Sequence, residues 1–140
     1  MKSTFAAVIA GLMLIASPAL ASPEGTWLSS DGGTKVRIAN CGNGICATVV
    51  WLKNPIDKST GLPKTDKHNP DAAKRPRPML GLQVIQGMRP SGANRWSGQI
   101  YNADDGKTYR SNLMLRSPTQ ARVEGCVLVF CIGESWTRAN

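Results

Sequence analysis

Any chemistry in this sequence would come from three places: two pairs of cysteines, a single histidine, and the carboxylates of a proline-rich stretch in mid-chain. Cys41 with Cys46 and Cys126 with Cys131 form two identical C-x4-C units. Zinc ribbons use tighter, two-residue spacing, so the units do not read as a metal site. Neither unit has the C-x-x-C form of a redox dithiol, and neither stands at an evident helix start. An even number of cysteines in an exported chain reads as disulfides. Four cysteines permit three pairings. The turn-forming Gly42-Asn43-Gly44 favours the local ones, Cys41 with Cys46 and Cys126 with Cys131. Bridges that close such short loops stabilise by about 2 kcal/mol each in the loop-entropy picture, and their main effect is to fix loop geometry.

His68 lies between Lys67 and Asn69. Nucleophilic catalysis needs a base paired with Ser or Cys and oriented by a third group, and a metal needs several ligands. There is no Gly-x-Ser-x-Gly elbow. Asp57, Asp66 and Asp71 do not follow the spacing of a calcium loop, and no central Gly or bidentate Glu completes one. After Asp31-Gly32-Gly33 no helix follows to receive a phosphate. The sequence thus nominates no catalytic residue, metal or cofactor, and it reads as a protein that is not an enzyme.

The stretch from Lys53 to Met79 is the longest without strand character, and it is stiffened by Pro55, Pro63, Pro70, Pro76 and Pro78. Connections of this length in compact domains are usually functional or disordered. Two readings stand: a lid over a binding site, with Asp66, Asn69 and Arg75 as polar contacts, or a solvated excursion. Trp51, Trp96 and Tyr109 are the candidate walls of a pocket, since pockets are mainly apolar with a few directed polar groups. Core packing is the competing role for the two tryptophans.

The elements that would position these residues are short and β-like. Gly and Pro separate runs rich in Val, Ile, Leu, Thr and aromatics at 25–30, 34–39, 45–52, 80–88, 95–102, 107–115, 120–129 and 132–138. In the second run Val36 and Ile38 alternate with Lys35 and Arg37, the pattern of a half-buried strand. Asp31-Gly32-Gly33 and Asp104-Asp105-Gly106 read as hairpin turns. No segment after residue 21 sustains a helical apolar period. The expectation is all-β: eight antiparallel strands closed into a small up-and-down barrel, because closure removes exposed edges, with a long loop between strands three and four.

Residues 1–21 have the layout of a secretory signal peptide, with Lys2, an apolar run from Phe5 to Ile15, and small residues at Ala19 and Ala21. That run is too short to span a membrane. Cleavage near Ala21 would release 22–140 as a single periplasmic or secreted domain. The chain carries a formal charge of +8, which favours anionic envelope components or acidic proteins as partners. Export and the lack of a dense basic block argue against nucleic acid.

Gly25-Thr26-Trp27 on the first predicted strand and Trp136-Thr137-Arg138 on the last resemble the structural signature of the calycin superfamily, which includes the lipocalins. The resemblance implies that Arg138 stacks over Trp27, with Gly25 and Trp136 beside them, to close one barrel end. A wider set is similar to the exported bacterial family known as domain of unknown function 2147. It comprises Gly25-Thr26-Trp27, Cys41-Gly-Asn-Gly-Ile-Cys46, Asp66 with Asn69-Pro70, Trp96-Ser97-Gly98, Asp105-Gly106-Lys107-Thr108-Tyr109 and Trp136-Thr137-Arg138. Ala47 departs from the Gly expected after the second Cys. The resemblance implies a periplasmic lipocalin-like barrel with no assigned reaction. The leading functional expectation is a binding module for a small apolar or amphipathic ligand. Its alternative is an envelope barrel that binds protein or glycan and has no small-molecule cavity.

Overall fold

In the computed structural model, residues 8–14 and 22–139 are described. The expected cleavage site at Ala21 lies outside them. Residues 8–14 have no regular secondary structure, and Val8, Ile9, Leu12, Met13 and Leu14 are exposed, so this part of the expected leader does not pack on the barrel. Among the described residues no helix is long and apolar enough to cross a membrane.

Eight strands close into an antiparallel barrel: β1 (Gly25–Leu28), β2 (Thr34–Cys41), β3 (Gly44–Leu52), β6 (Gln83–Gly92), β7 (Arg95–Asn102), β8 (Lys107–Ser117), β9 (Gln120–Val127) and β10 (Phe130–Ala139). Each barrel strand pairs with its neighbours in sequence, and β10 returns to β1 with Trp27 opposite Arg138. The long connection between β3 and β6 carries a small hairpin, β4 (Ile56–Asp57) with β5 (Leu62–Pro63), and a 3-10 turn at Ala72–Lys74.

Inward-pointing side chains fill the barrel. Val36 and Ile38 of β2, Ile45, Ala47 and Val49 of β3, Ile85 and Met88 of β6, and Leu113 of β8 are all buried, and Trp27 and Trp136 join the same core. The alternation seen in β2 produces this arrangement, because residues two apart share a sheet face. Each such aliphatic side chain contributes about 1.5–3 kcal/mol by leaving water.

Strand boundaries shift for local reasons. The fourth barrel strand starts at Gln83 rather than Leu80, because Gly81 turns the chain at φ 89° and only then does pairing begin. It continues past Pro90, which pairs opposite Trp96 beside an irregularity in register. The run 120–129 ends as a strand at Val127. Leu128 and Val129 form a two-residue turn, with Leu128 at φ 54°, and Phe130 begins the return.

Both disulfides are the local ones, Cys41–Cys46 across the β2–β3 turn and Cys126–Cys131 across β9–β10. At one barrel end the Arg138 guanidinium stacks 4.4 Å from the Trp27 ring. It also donates to the carbonyls of Ser22 at 2.8 Å, Glu24 at 2.6 Å and Pro118 at 2.7 Å. Trp27 Nε1 donates to the Pro23 carbonyl at 2.8 Å. Gly25 leaves room for this clamp, since a Cβ there would lie 2.7 Å from Arg138 Nη1.

Candidate functional site

The opposite barrel end is covered by the connection of residues 53–82, and its shape follows from one buried carboxylate. Asp66 is fully buried. It accepts hydrogen bonds from Tyr101 Oη on β7 at 2.5 Å, Asn69 Nδ2 at 2.8 Å and Arg77 Nε at 2.9 Å. Arg77 Nη2 also lies 2.9 Å from Asp66 Oδ2, making a two-pronged ion pair, and the guanidinium sits 5.9 Å from the Tyr101 ring. Arg75 Nε donates to the Asn69 carbonyl at 2.8 Å.

Burial pushes the Asp66 carboxyl up, but the hydrogen bonds from Tyr101, Asn69 and Arg77 outweigh it, and its pKa lies below the ordinary carboxylate value. Burial and the bond to Asp66 raise the Tyr101 phenol. Asp66 is thus held ionised and Tyr101 protonated, an arrangement that ties the loop to the barrel wall. A second contact seats the loop: a Cβ at Gly106, whose φ is 71°, would overlap the His68 carbonyl. Only a glycine turn admits this approach.

Between the connection, the β1–β2 turn and the β7–β8 turn lies a groove of about 490 Å³. Its apolar lining comes from Leu52, Ile56, Met79 and Ala103. Charged groups of both signs share the lining, with Asp31, Asp57, Asp104, Lys58, Lys64 and Lys67, and His68 is there too. Asp57 is itself engaged by Ser59 Oγ at 2.6 Å, the Ser59 amide at 2.9 Å and Lys67 Nζ at 3.1 Å. These contacts, the Ser59 hydroxyl first, lower its pKa to about 2.

The residues singled out in sequence do not gather in one place. Asp66, Asn69 and Arg75 form the scaffold of the connection, with Asp66 and Asn69 turned into it. Trp51 is on the outside of β3, under Lys35 Nζ at 5.0 Å. Trp96 packs against the core, and Tyr109 bonds to Asp105 at the β7–β8 turn. None of the six lines the groove. Tyr101 and Arg77, which hold Asp66 together with Asn69, carried no sequence signal for this role, because nothing in their neighbours announces contacts across 35 and 11 residues. Within the barrel, buried Ser111 Oγ has no protein partner.

Glu124, Cys126 and Cys131 place their ligand atoms within 4.8 Å of one another. Both sulfurs are spent in the disulfide, so the cluster offers no thiolate to a metal. Among the described residues no Ser or Thr hydroxyl is hydrogen-bonded to the His68 ring, so the triad logic of nucleophilic catalysis is not assembled there.

No curated protein matches the chain in sequence. Among solved structures, the chain is similar to one described as "Protein HP1028 from the human pathogen Helicobacter pylori belongs to the lipocalin family". The TM-score is 0.74 at 18% identity, covering 86% of this chain and 84% of that one. The likeness establishes a lipocalin-like fold, and function has to be argued from the site. The model of the family described as "Uncharacterized protein conserved in bacteria (DUF2147)" matches residues 25–138, and the chain belongs to that family.

Proposed function

We propose that this protein is an exported binding module that holds a small amphipathic ligand in the groove at the loop-covered end of the barrel. The carrying observation is the groove itself: about 490 Å³, lined by the apolar Leu52, Ile56, Met79 and Ala103 together with lysines and aspartates. That volume lies in the range of small-molecule sites, and the lining is more polar and charged than apolar, which suits an amphipathic ligand over a purely apolar one. Side chains fill the barrel interior, which favours a seat at the mouth over one deep inside.

Two disulfides suit an extracytoplasmic compartment. Cleavage of the leader near Ala21 would complete export and leave residues 22–140 as one domain. The Asp66 scaffold keeps the groove preformed, so binding would not have to order the loop.

Native mass spectrometry of the protein recovered from the periplasm tests this reading. The expected result is a reproducible stoichiometric adduct that is released on denaturation and absent from Ala103→Trp, whose indole would occupy the groove. An adduct retained by A103W, or a bare mass for the wild type in extracts of its own envelope, would remove the groove as the binding site.

A further inference from the structure

The β9–β10 hairpin ends in an apolar wedge. Val127, Leu128, Val129, Phe130 and Ile132 are between 58% and 86% exposed. Val127 lies opposite Phe130, and Ile132 is two residues further along the same strand, so these three side chains share one face of the hairpin, with Leu128 and Val129 at its tip and the Cys126–Cys131 bridge on the other face. Five such side chains together reach the several hundred Å² at which an apolar patch marks an interaction site. The wedge is rigid: Cys126–Cys131 ties its base, and Val127 pairs with Phe130 across the turn. The carbonyl of Leu128, at the very turn, accepts from Arg110 Nη2 at 2.5 Å, so this group is not left bare.

Strand direction places this tip at the same barrel end as the connection of residues 53–82. That connection has seven Lys or Arg against three Asp. Two of the three aspartates are neutralised in the Asp57–Lys67 and Asp66–Arg77 pairs. Lys53, Lys58, Lys64, Lys74 and Arg75 enter no ion pair among the described residues. Asp31 on the β1–β2 turn and Asp104 and Asp105 on the β7–β8 turn, all at this end, offset part of this charge, and the chain as a whole remains at +8.

We infer that this end of the barrel docks on an anionic phospholipid surface, with the Leu128–Phe130 tip inserted among the acyl chains and Arg110 and the connection's cations at the headgroups. The cations of the connection left unpaired among the described residues, at the same barrel end as the apolar tip, complement an anionic lipid surface. A second copy fits poorly, because two convex tips meeting would bury far less than the roughly 800 Å² per partner of a stable interface. Apolar contact and attraction between basic groups and anionic lipid act together in such interfacial binding. Lys58 and Lys64 also line the groove, so docking would turn the groove towards the bilayer, but the inference does not rest on a bound ligand.

Sedimentation with vesicles of mixed phosphatidylglycerol and phosphatidylcholine tests it, using periplasmic protein. The variant Leu128→Asn with Val129→Asp removes the tip's apolar groups. Asn accepts the positive φ at residue 128, so the turn persists, and near-ultraviolet circular dichroism verifies the fold. Both proteins share one N-terminus, so any contribution from residues 1–21 is common to them. The expected result is a drop of at least tenfold in vesicle binding for the variant, and weaker wild-type binding at high salt. In Phe130→Trp, emission should shift to the blue on adding these vesicles, and brominated lipid should quench it. Wild type that stays in the supernatant at low salt, or a variant that sediments equally, overturns the inference. So does equal binding to pure phosphatidylcholine, or a concentration-dependent dimer abolished by the variant without any vesicle binding.

Discussion

Tyr101, on the seventh strand, donates its phenolic hydrogen at 2.5 Å to the fully buried carboxylate of Asp66, 35 residues earlier in the covering connection. This bond joins the barrel wall to the loop. Asn69 and Arg77 complete the shell around the same carboxylate from within the loop. The groove at the barrel mouth depends on where that loop sits, so the Asp66 cluster positions the site without touching it.

Removing the Tyr101 hydroxyl with Tyr101→Phe should cost about 1.5–3 kcal/mol, the usual worth of a hydrogen bond to a charged group. Asp66→Ala should cost more, near 3 kcal/mol, the low end for breaking a buried ion pair. The low end applies because Arg77, 39% exposed, can turn to water. Urea unfolding monitored by tryptophan fluorescence measures both. Amide hydrogen exchange should show faster opening of residues 62–82 than of the barrel strands in each variant. Uniform loss of protection in all strands would contradict the local role assigned to the cluster.

Acid should loosen the connection before it unfolds the barrel. The Asp66 pKa is depressed in the folded protein, so the unfolded chain binds this proton more readily. The stabilisation it supplies is complete above the ordinary carboxylate pKa of about 3.9 and is lost as pH falls through the depressed value. Asp57, at about 2, is depressed in the same direction, but it lies at the surface, where solvent screens its contribution. An acid titration followed by the exchange of loop amides should show wild-type opening below about pH 4. Asp66→Asn should lose most of that pH dependence, and a variant that titrates like wild type would assign the transition to another group.

At the other barrel end, Arg138→Ala should destabilise by about 2–4 kcal/mol, because it removes three charged hydrogen bonds to carbonyls and the stack on Trp27. Arg138→Lys should recover only a minor part, since an ammonium cannot reach the carbonyls of Ser22, Glu24 and Pro118 at once while covering the ring. Thermal unfolding of both variants measures the difference. Equal melting points for the Lys variant and wild type would show that charge alone suffices.

Several features were written locally. The strands of the barrel were legible because Val36 and Ile38 alternate with cations and because Asp31-Gly32-Gly33 and Asp104-Asp105-Gly106 turn the chain. The two short C-x4-C units favoured local disulfides, which are the ones formed. The pairing of Trp27 with Arg138 was legible only through the family resemblance, since the two residues lie at opposite ends of the chain. Strand periodicity and turn chemistry act over a few residues, which is why reading the chain in order recovered them.

Tertiary structure decided the rest. Asp66 and Asn69 looked like ligand contacts in sequence, because nothing in the sequence shows that Tyr101 and Arg77 come to meet them. The groove brings together residues from the β1–β2 turn, the connection and the β7–β8 turn, segments that only barrel closure makes neighbours. The apolar run from Val127 to Ile132 read as strand because its side chains favour extended backbone. Its turn at Leu128 and its projection beyond the core were fixed by the register of β9 against β10, which the Cys126–Cys131 bridge secures. Sequence specifies which local conformations are cheap, and closure of the barrel determines which residues those conformations bring together.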